Sequence, residues 1–210
     1  MIEQFVVQGQ AGTGSVAVEA ALTLLGLSYR VEEVMFEQLQ SGVNPMAQVP
    51  SLRLPGGSLM TESAAILIWL ADSNPGGRLA PAFNHPARPA FLRWMLFVSS
   101  AIYALYWVMD LPARFAADAP HEAVIVERAQ ARIAACWAVM ESGLTPGRYL
   151  LGEGMTVLDL YATVVSRWTP REALHQTIAP RIGAVVRRVE ADPRLATLWA
   201  TRFPLREAVS

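Results

Sequence analysis

Asn44-Pro45-Met46-Ala47-Gln48-Val49-Pro50-Ser51-Leu52 and, ten residues on, Thr61-Glu62-Ser63-Ala64-Ala65-Ile66 carry the reading of this 210-residue chain. Proline before the short apolar run Ser51–Leu54 opens a strand and raises the chance of a cis peptide, which would turn the neighbouring backbone N–H and C=O toward a ligand. Pro55-Gly56-Gly57 is a tight-turn signal, so Ser51–Leu54 and Ser58–Met60 form an antiparallel hairpin. Ser63 stands where a helix begins. Ile66 occupies the place of the reciprocal Glu or Gln, so this is a serine N-cap without a capping box. A helix N-terminus with a serine hydroxyl suits a carboxylate, and Glu62 offers an anion to an ammonium. Together they suit the head of an amino acid.

Outward from this stretch the signals alternate. Glu3–Gln8 reads as a strand, Ser15–Leu25 as a helix ended by Gly26, and Tyr29–Val34 as a second strand. Ser63–Ala71 is helical. The order βαβ, a loose segment, ββ and α makes an α/β unit. Prolines and glycines crowd the segment from Pro75 to Pro89, which marks a boundary. Beyond it lie helical patterns near Ala90–Asp110, His121–Glu141, Val157–Trp168, Arg181–Ala191 and Arg194–Thr201. The expected domains are residues 1–76, α/β, and residues 87–210, all-α. Thr156-Val157-Leu158-Asp159 is a capping box with aspartate as the reciprocal partner.

Composition narrows the function classes. The chain is 53% hydrophobic and 17% charged, which excludes disorder as the main state. Net charge is -1, and every one of the 17 basic residues is arginine. Residues 1–80 carry a net charge of −4 and residues 81–210 one of +3, so neither half is a nucleic-acid footprint. The single Cys136 excludes an intrachain disulfide and a cysteine zinc cluster, and no metal is expected. Trp94–Met109, sixteen residues between Arg93 and Asp110, falls short of the ~20 that span a bilayer. The start lacks a basic region before an apolar run, so the chain reads as soluble and cytoplasmic, without a membrane partner.

Gly12-Thr13-Gly14-Ser15-Val16-Ala17 fits G-x-G-x-x-A, with Glu32 twenty positions past Gly12. A dinucleotide fold needs further parallel βα units, and an antiparallel hairpin followed by helices does not supply them. What survives is a glycine-loosened loop that brings Thr13, Ser15 and backbone N–H groups to a positive helix end.

The paired motifs Gln48-Val49-Pro50-Ser51-Leu52 and Glu62-Ser63, in βαβ–ββα order with a helical domain after them, resemble the glutathione transferase family over essentially the whole chain. The resemblance implies a thioredoxin-like first domain, a cis peptide before Pro50, and a homodimer. It implies that the Val49 backbone pairs with the cysteinyl part of glutathione, with Gln48, Val49 and Pro50 as binding residues. Glu62 and Ser63 would hold the γ-glutamyl head. Its activity would be conjugation of the glutathione thiolate to a small apolar electrophile, a detoxification chemistry with glutathione as co-substrate.

Some members use a tyrosine near the first strand, but residues 1–28 hold none. Others use a cysteine at the helix start, where this chain has Gly14. The maleylacetoacetate isomerase branch carries Ser-Ser-Cys where this chain has Gly12-Thr13-Gly14. Ser15 and Thr13 are then the catalytic candidates, Ser15 ahead because the helix dipole is closest there. A non-catalytic glutathione-binding protein of the same fold is the alternative. Tyr103 and Trp107, at i and i+4 with Ser99 and Ser100 one turn earlier, offer an aromatic wall for flat apolar electrophiles. Tyr103 could donate its hydroxyl. Without lysine, the glutathione carboxylates must be met by helix ends, by Ser63, by neutral side chains such as Gln38 or Gln48, or by an arginine from the second domain or a partner subunit.

Overall fold

In the computed structural model, residues 4–35 and 44–204 are described. Gln38 lies outside them. The β-branched run Phe5–Gly9 (β1) sits at the centre of a four-stranded sheet ordered β2-β1-β3-β4. Tyr29–Glu33 (β2) runs parallel to it, Val7 opposite Val31. Ser51–Arg53 (β3) is antiparallel, Val7 opposite Leu52, and Leu59–Met60 (β4) closes the hairpin. Ser15–Leu24 (α1) and Ser63–Ser73 (α2) pack together against the sheet. This is a thioredoxin-like layer, followed by helices.

The helical part comprises Arg88–Phe97 (α3), Ala104–Asp110 (α4), Ala119–Gly143 (α5), Val157–Ser166 (α6), Pro180–Glu190 (α7) and Ala196–Arg202 (α8). Every residue of α6 is buried, as an all-round apolar helix demands. It touches α1, α2, α3 and α7, so one core runs through both layers. Asp159 secures its start by accepting hydrogen bonds from Thr156 N (2.7 Å), Thr156 Oγ1 (2.8 Å) and Leu150 N (2.8 Å). The segment Arg88–Asp110, 23 residues, is long and apolar enough to cross a bilayer by length and composition. Here Phe91, Trp94, Met95, Val98, Ile102 and Tyr106 of that segment are buried in the core.

Two details correct the sequence reading. The helical pattern at residues 90–110 is not continuous, because Val98–Tyr103 winds as a π-helix between α3 and α4. A second π-helical stretch, Ala173–Ile178, precedes α7. Such segments shift side chains off the 3.6-residue period and concentrate at functional sites. Ser63 is also not the N-cap of α2. Glu62 takes that position with φ 66, and Ser63 is the first helical residue.

Candidate active site

A cavity of about 910 Å³ lies between the α/β layer and the helices. Ligand pockets span about 300–1,000 Å³, so this one has room for two reactants. The near end is built by the loop after β1 and by the two motifs read first. Thr13, Gln48, Val49, Pro50, Glu62 and Ser63 all line it. The Val49–Pro50 peptide is cis. Glu62 is held in the left-handed region, a conformation costing about 1–3 kcal/mol for a non-glycine residue and persisting where surroundings impose it. Among the described residues no donor reaches its carboxylate. α2 begins without a side-chain cap, so its first N–H groups lack intrahelical partners. Ser63 Oγ meets Tyr161 Oη at 2.8 Å. Burial pushes the Tyr161 hydroxyl up to about 12, so it stays protonated.

The start of α1 differs from expectation. Ser15 is fully buried and does not line the cavity. Its Oγ lies 3.1 Å from Gln10 O, which accepts from it, and 3.2 Å from Glu19 Oε1. Thr13 lines the cavity, but its hydroxyl donates to Gln10 O at 2.7 Å. The helix-end N–H groups are used as well: Ser15 N–H donates to Thr13 Oγ1 (3.3 Å) and Val16 N–H to Thr13 O (3.2 Å). The hydroxyl of Tyr103, which arrives from the π-helical stretch, lies against the backbone of Gly14, whose N–H favours its oxygen. A Cβ at Gly14 would lie 2.3 Å from Tyr103 Oη, so only glycine admits this approach. Among the described residues no acceptor holds the Tyr103 proton, whereas the hydroxyls of Thr13 and Ser15 donate to Gln10 O. Burial pushes the Tyr103 pKa far above the ordinary value, which keeps that proton in place.

The helical residues complete the cavity. Ser99, Tyr103 and Trp107 line it together, while Ser100 turns its hydroxyl to Leu96 O at 2.8 Å and stays outside. Sequence reading missed Tyr106, Arg114, Trp168, Arg171, His175 and Phe203, all lining residues. Trp168 Nε1 donates to Gly12 O and Gly12 N–H to Arg202 O, each at 2.8 Å. The positive φ of Gly12, 77°, exposes both groups to this clamp. Arg202 goes on to grip buried Glu19 (2.7 and 3.1 Å) and Glu33. The C-terminal helix therefore fixes the loop that carries Thr13. Among the described residues no cluster of three His, Cys, Asp or Glu suits a metal ion.

A thioredoxin-like sheet with a cis-proline loop, joined by a helical second layer that encloses a cavity with it, defines the class: a thioredoxin-like domain followed by a helical domain. Within that class the family follows from comparison. Residues 15–73 match the profile described as "Glutathione S-transferase, N-terminal domain". The chain is 32% identical over 199 residues to the glutathione S-transferase (GST)-like protein YncG of Escherichia coli K12, covering 90% of this chain and 94% of that protein. It is 27% identical over 168 residues to the glutathione S-transferase GstA of Escherichia coli O157:H7, covering 78% and 80%. A Sulfitobacter glutathione transferase homolog with bound glutathione superposes with a TM-score of 0.85 at 25% identity, covering 95% of this chain and 98% of that one. The chain belongs to the glutathione S-transferase family.

Proposed function

We propose that the protein binds glutathione at the near end of the cavity and conjugates its sulfur to an electrophile held against the aromatic wall. The observation that carries this reading is the pairing, in one cavity, of an unpartnered Glu62 carboxylate beside an uncapped helix start with a tyrosine hydroxyl whose proton is free. Glu62 takes the γ-glutamyl ammonium. Ser63 and the first N–H groups of α2 take its carboxylate. The Val49 backbone pairs with the cysteinyl unit.

A free thiol titrates near ~8.5, so a thiolate at neutral pH needs donors that favour the anion. Tyr103 supplies one, because its O–H remains free to donate while Gly14 N–H fixes its oxygen. Thr13, at the cavity edge, keeps the loop in shape through Gln10. Ser15 holds the interior of α1 and has no contact with the sulfur. The thiol proton passes to water, the sulfur forms the new bond to carbon, and the leaving group departs with the old bonding pair. A homodimer acting in the cytoplasm belongs to the same reading.

The test is a titration of bound glutathione, followed by thiolate absorbance, in wild type and Tyr103→Phe. A wild-type thiol pKa below ~8.5 that rises in Tyr103→Phe is the expected result. A pKa unmoved from the free thiol supports instead a non-catalytic glutathione-binding protein. Failure to bind glutathione overturns both readings. Sedimentation of the purified protein reads the dimer.

A further inference from the structure

The far half of the cavity carries more positive charge than an apolar electrophile needs. Its walls are aromatic: Trp168 packs against Tyr106 with ring centroids 5.2 Å apart, and Trp107 lies opposite. Arg114, Arg167 and Arg171 line the same cavity. Arg167 and Arg171 share one carboxylate, Glu190, at 3.1 Å from Arg167 Nε and 2.8 and 2.7 Å from the Arg171 guanidinium. Arg114 lies over the Trp107 ring, 5.2 Å from its centroid, with no ion-pair partner among the described residues. Three guanidinium groups thus line the cavity, two of them sharing Glu190, and the exposed Asp110 lines it as well.

We infer that this half of the cavity takes a flat electrophile bearing an anionic group, a carboxylate on an aromatic or conjugated body, with Arg114 as its main contact. The inference rests on the glutathione reading and names the second substrate's class. The aromatic walls hold the body and leave the reacting carbon toward Tyr103. Arg114, stacked on Trp107 and exposed, can turn its donors to a carboxylate without breaking another ion pair. The shared Glu190 leaves one charge of the Arg167–Arg171 pair unmatched nearby. His175 lines the same end and adds no charge at neutral pH, since burial, Arg171 and Arg187 together hold its pKa below the ordinary value. Asp110, exposed at the cavity wall, carries the opposing charge, one carboxylate against three guanidinium groups.

The experiment compares two unreactive glutathione conjugates, S-(4-carboxybenzyl)glutathione and S-(4-carbamoylbenzyl)glutathione, by quenching of tryptophan fluorescence. They differ only in charge at the ring's far end. Wild type is expected to bind the acid about tenfold more tightly than the amide, the worth of one charge-assisted hydrogen bond. Arg114→Gln should remove most of that preference while leaving the amide conjugate and glutathione unchanged. Arg171→Gln should reduce it in part. Equal affinities overturn the inference and leave the glutathione reading standing. So does an Arg114→Gln loss that falls equally on glutathione itself, since the guanidinium would then serve a glutathione carboxylate. Absence of binding by either conjugate and by glutathione overturns both.

Discussion

Gly14→Ala is a one-carbon change with a large expected effect. The backbone at Gly14 has φ -60, an ordinary helical value, so alanine meets no conformational strain there. The obstacle is Tyr103, whose Oη, Cε1 and Cζ would lie 2.3, 2.7 and 2.9 Å from the new carbon. The tyrosine must retreat, and it loses the Gly14 N–H bond, worth about 1 kcal/mol. It also loosens its ring contacts with Trp168 (4.8 Å) and Tyr161 (6.1 Å), each worth about 0.5–1.5 kcal/mol. The sum is about 2–4 kcal/mol, or a Tm lower by roughly 4–16 °C for a domain of this size. Calorimetry on wild type, Gly14→Ala, Tyr103→Leu and the double variant reads it. Because leucine vacates the space, the double variant should be more stable than the two losses added together, by about 1 kcal/mol or more. Tyr103→Phe should not rescue, since its ring carbons still collide. In the Gly14→Ala protein the bound thiol should titrate higher, because the displaced hydroxyl no longer meets it. A Gly14→Ala protein with unchanged Tm, or strictly additive losses, would refute the claim that Gly14 exists to seat Tyr103.

Three further outcomes follow from the buried polar groups. Arg202→Ala strands the Glu19 carboxylate, 1% exposed, in the core, and should lower urea stability by about 3–5 kcal/mol, with Glu19→Gln in the same chain recovering part of the loss. Ser15→Ala should cost about 1–2 kcal/mol in chemical denaturation while leaving the pKa of bound glutathione unmoved, because the hydroxyl serves Gln10 and Glu19; a shifted thiol pKa in that variant would return Ser15 to the reacting centre. Burial pushes Asp159 up to about 6, against the pull of bonds from Leu150 and Thr156. Its folded pKa thus exceeds the unfolded one, and this group's stabilisation is full below about pH 4 and lost as pH rises through about 6, roughly 3 kcal/mol in all. The stability gap between wild type and Asp159→Asn should narrow by that order between pH 4 and 6, and a constant gap would contradict the assignment.

The sequence pointed to the residues of the end proposed for glutathione and missed most of the other lining residues, for a physical reason. Val49, Pro50, Glu62 and Ser63 sit within one short stretch, and their conformations follow from local chemistry: proline before a strand, and a helix start. Trp168 and Gly12 meet across 156 positions, and nothing near either residue signals it. Closeness to the helix dipole favours Ser15 as the donor. Local rules cannot tell that its hydroxyl turns inward to Glu19, nor that the absent Cβ of Gly14 makes room for a tyrosine 89 positions later. The helical period also hid the two π-helical stretches, and both bring a residue to the cavity, Tyr103 and His175.

The absence of lysine gains a sharper meaning from where the arginines stand. Of the three in residues 1–80, Arg30 pairs with Glu32 at 2.7 Å and Arg53 donates to Gly57 O at 3.3 Å. None of the three lines the cavity, and residues 36–43 contain no basic side chain. Among the described residues, the arginines that line the cavity, Arg114, Arg167 and Arg171, all belong to the helical part. The end proposed for glutathione offers hydrogen-bond donors and helix termini, whose hold on an anion depends on contact more than on long-range field. The arginine end acts partly through space, and salt screens it over about 10 Å at 0.1 M. One protein should therefore show two salt responses. Glutathione affinity should stay nearly flat as ionic strength rises, while the preference for an acidic over a neutral conjugate shrinks. A steep salt dependence for glutathione alone would mean that an arginine outside this set, from a partner subunit, reaches its carboxylates, and the division of labour between the two ends would fall with it.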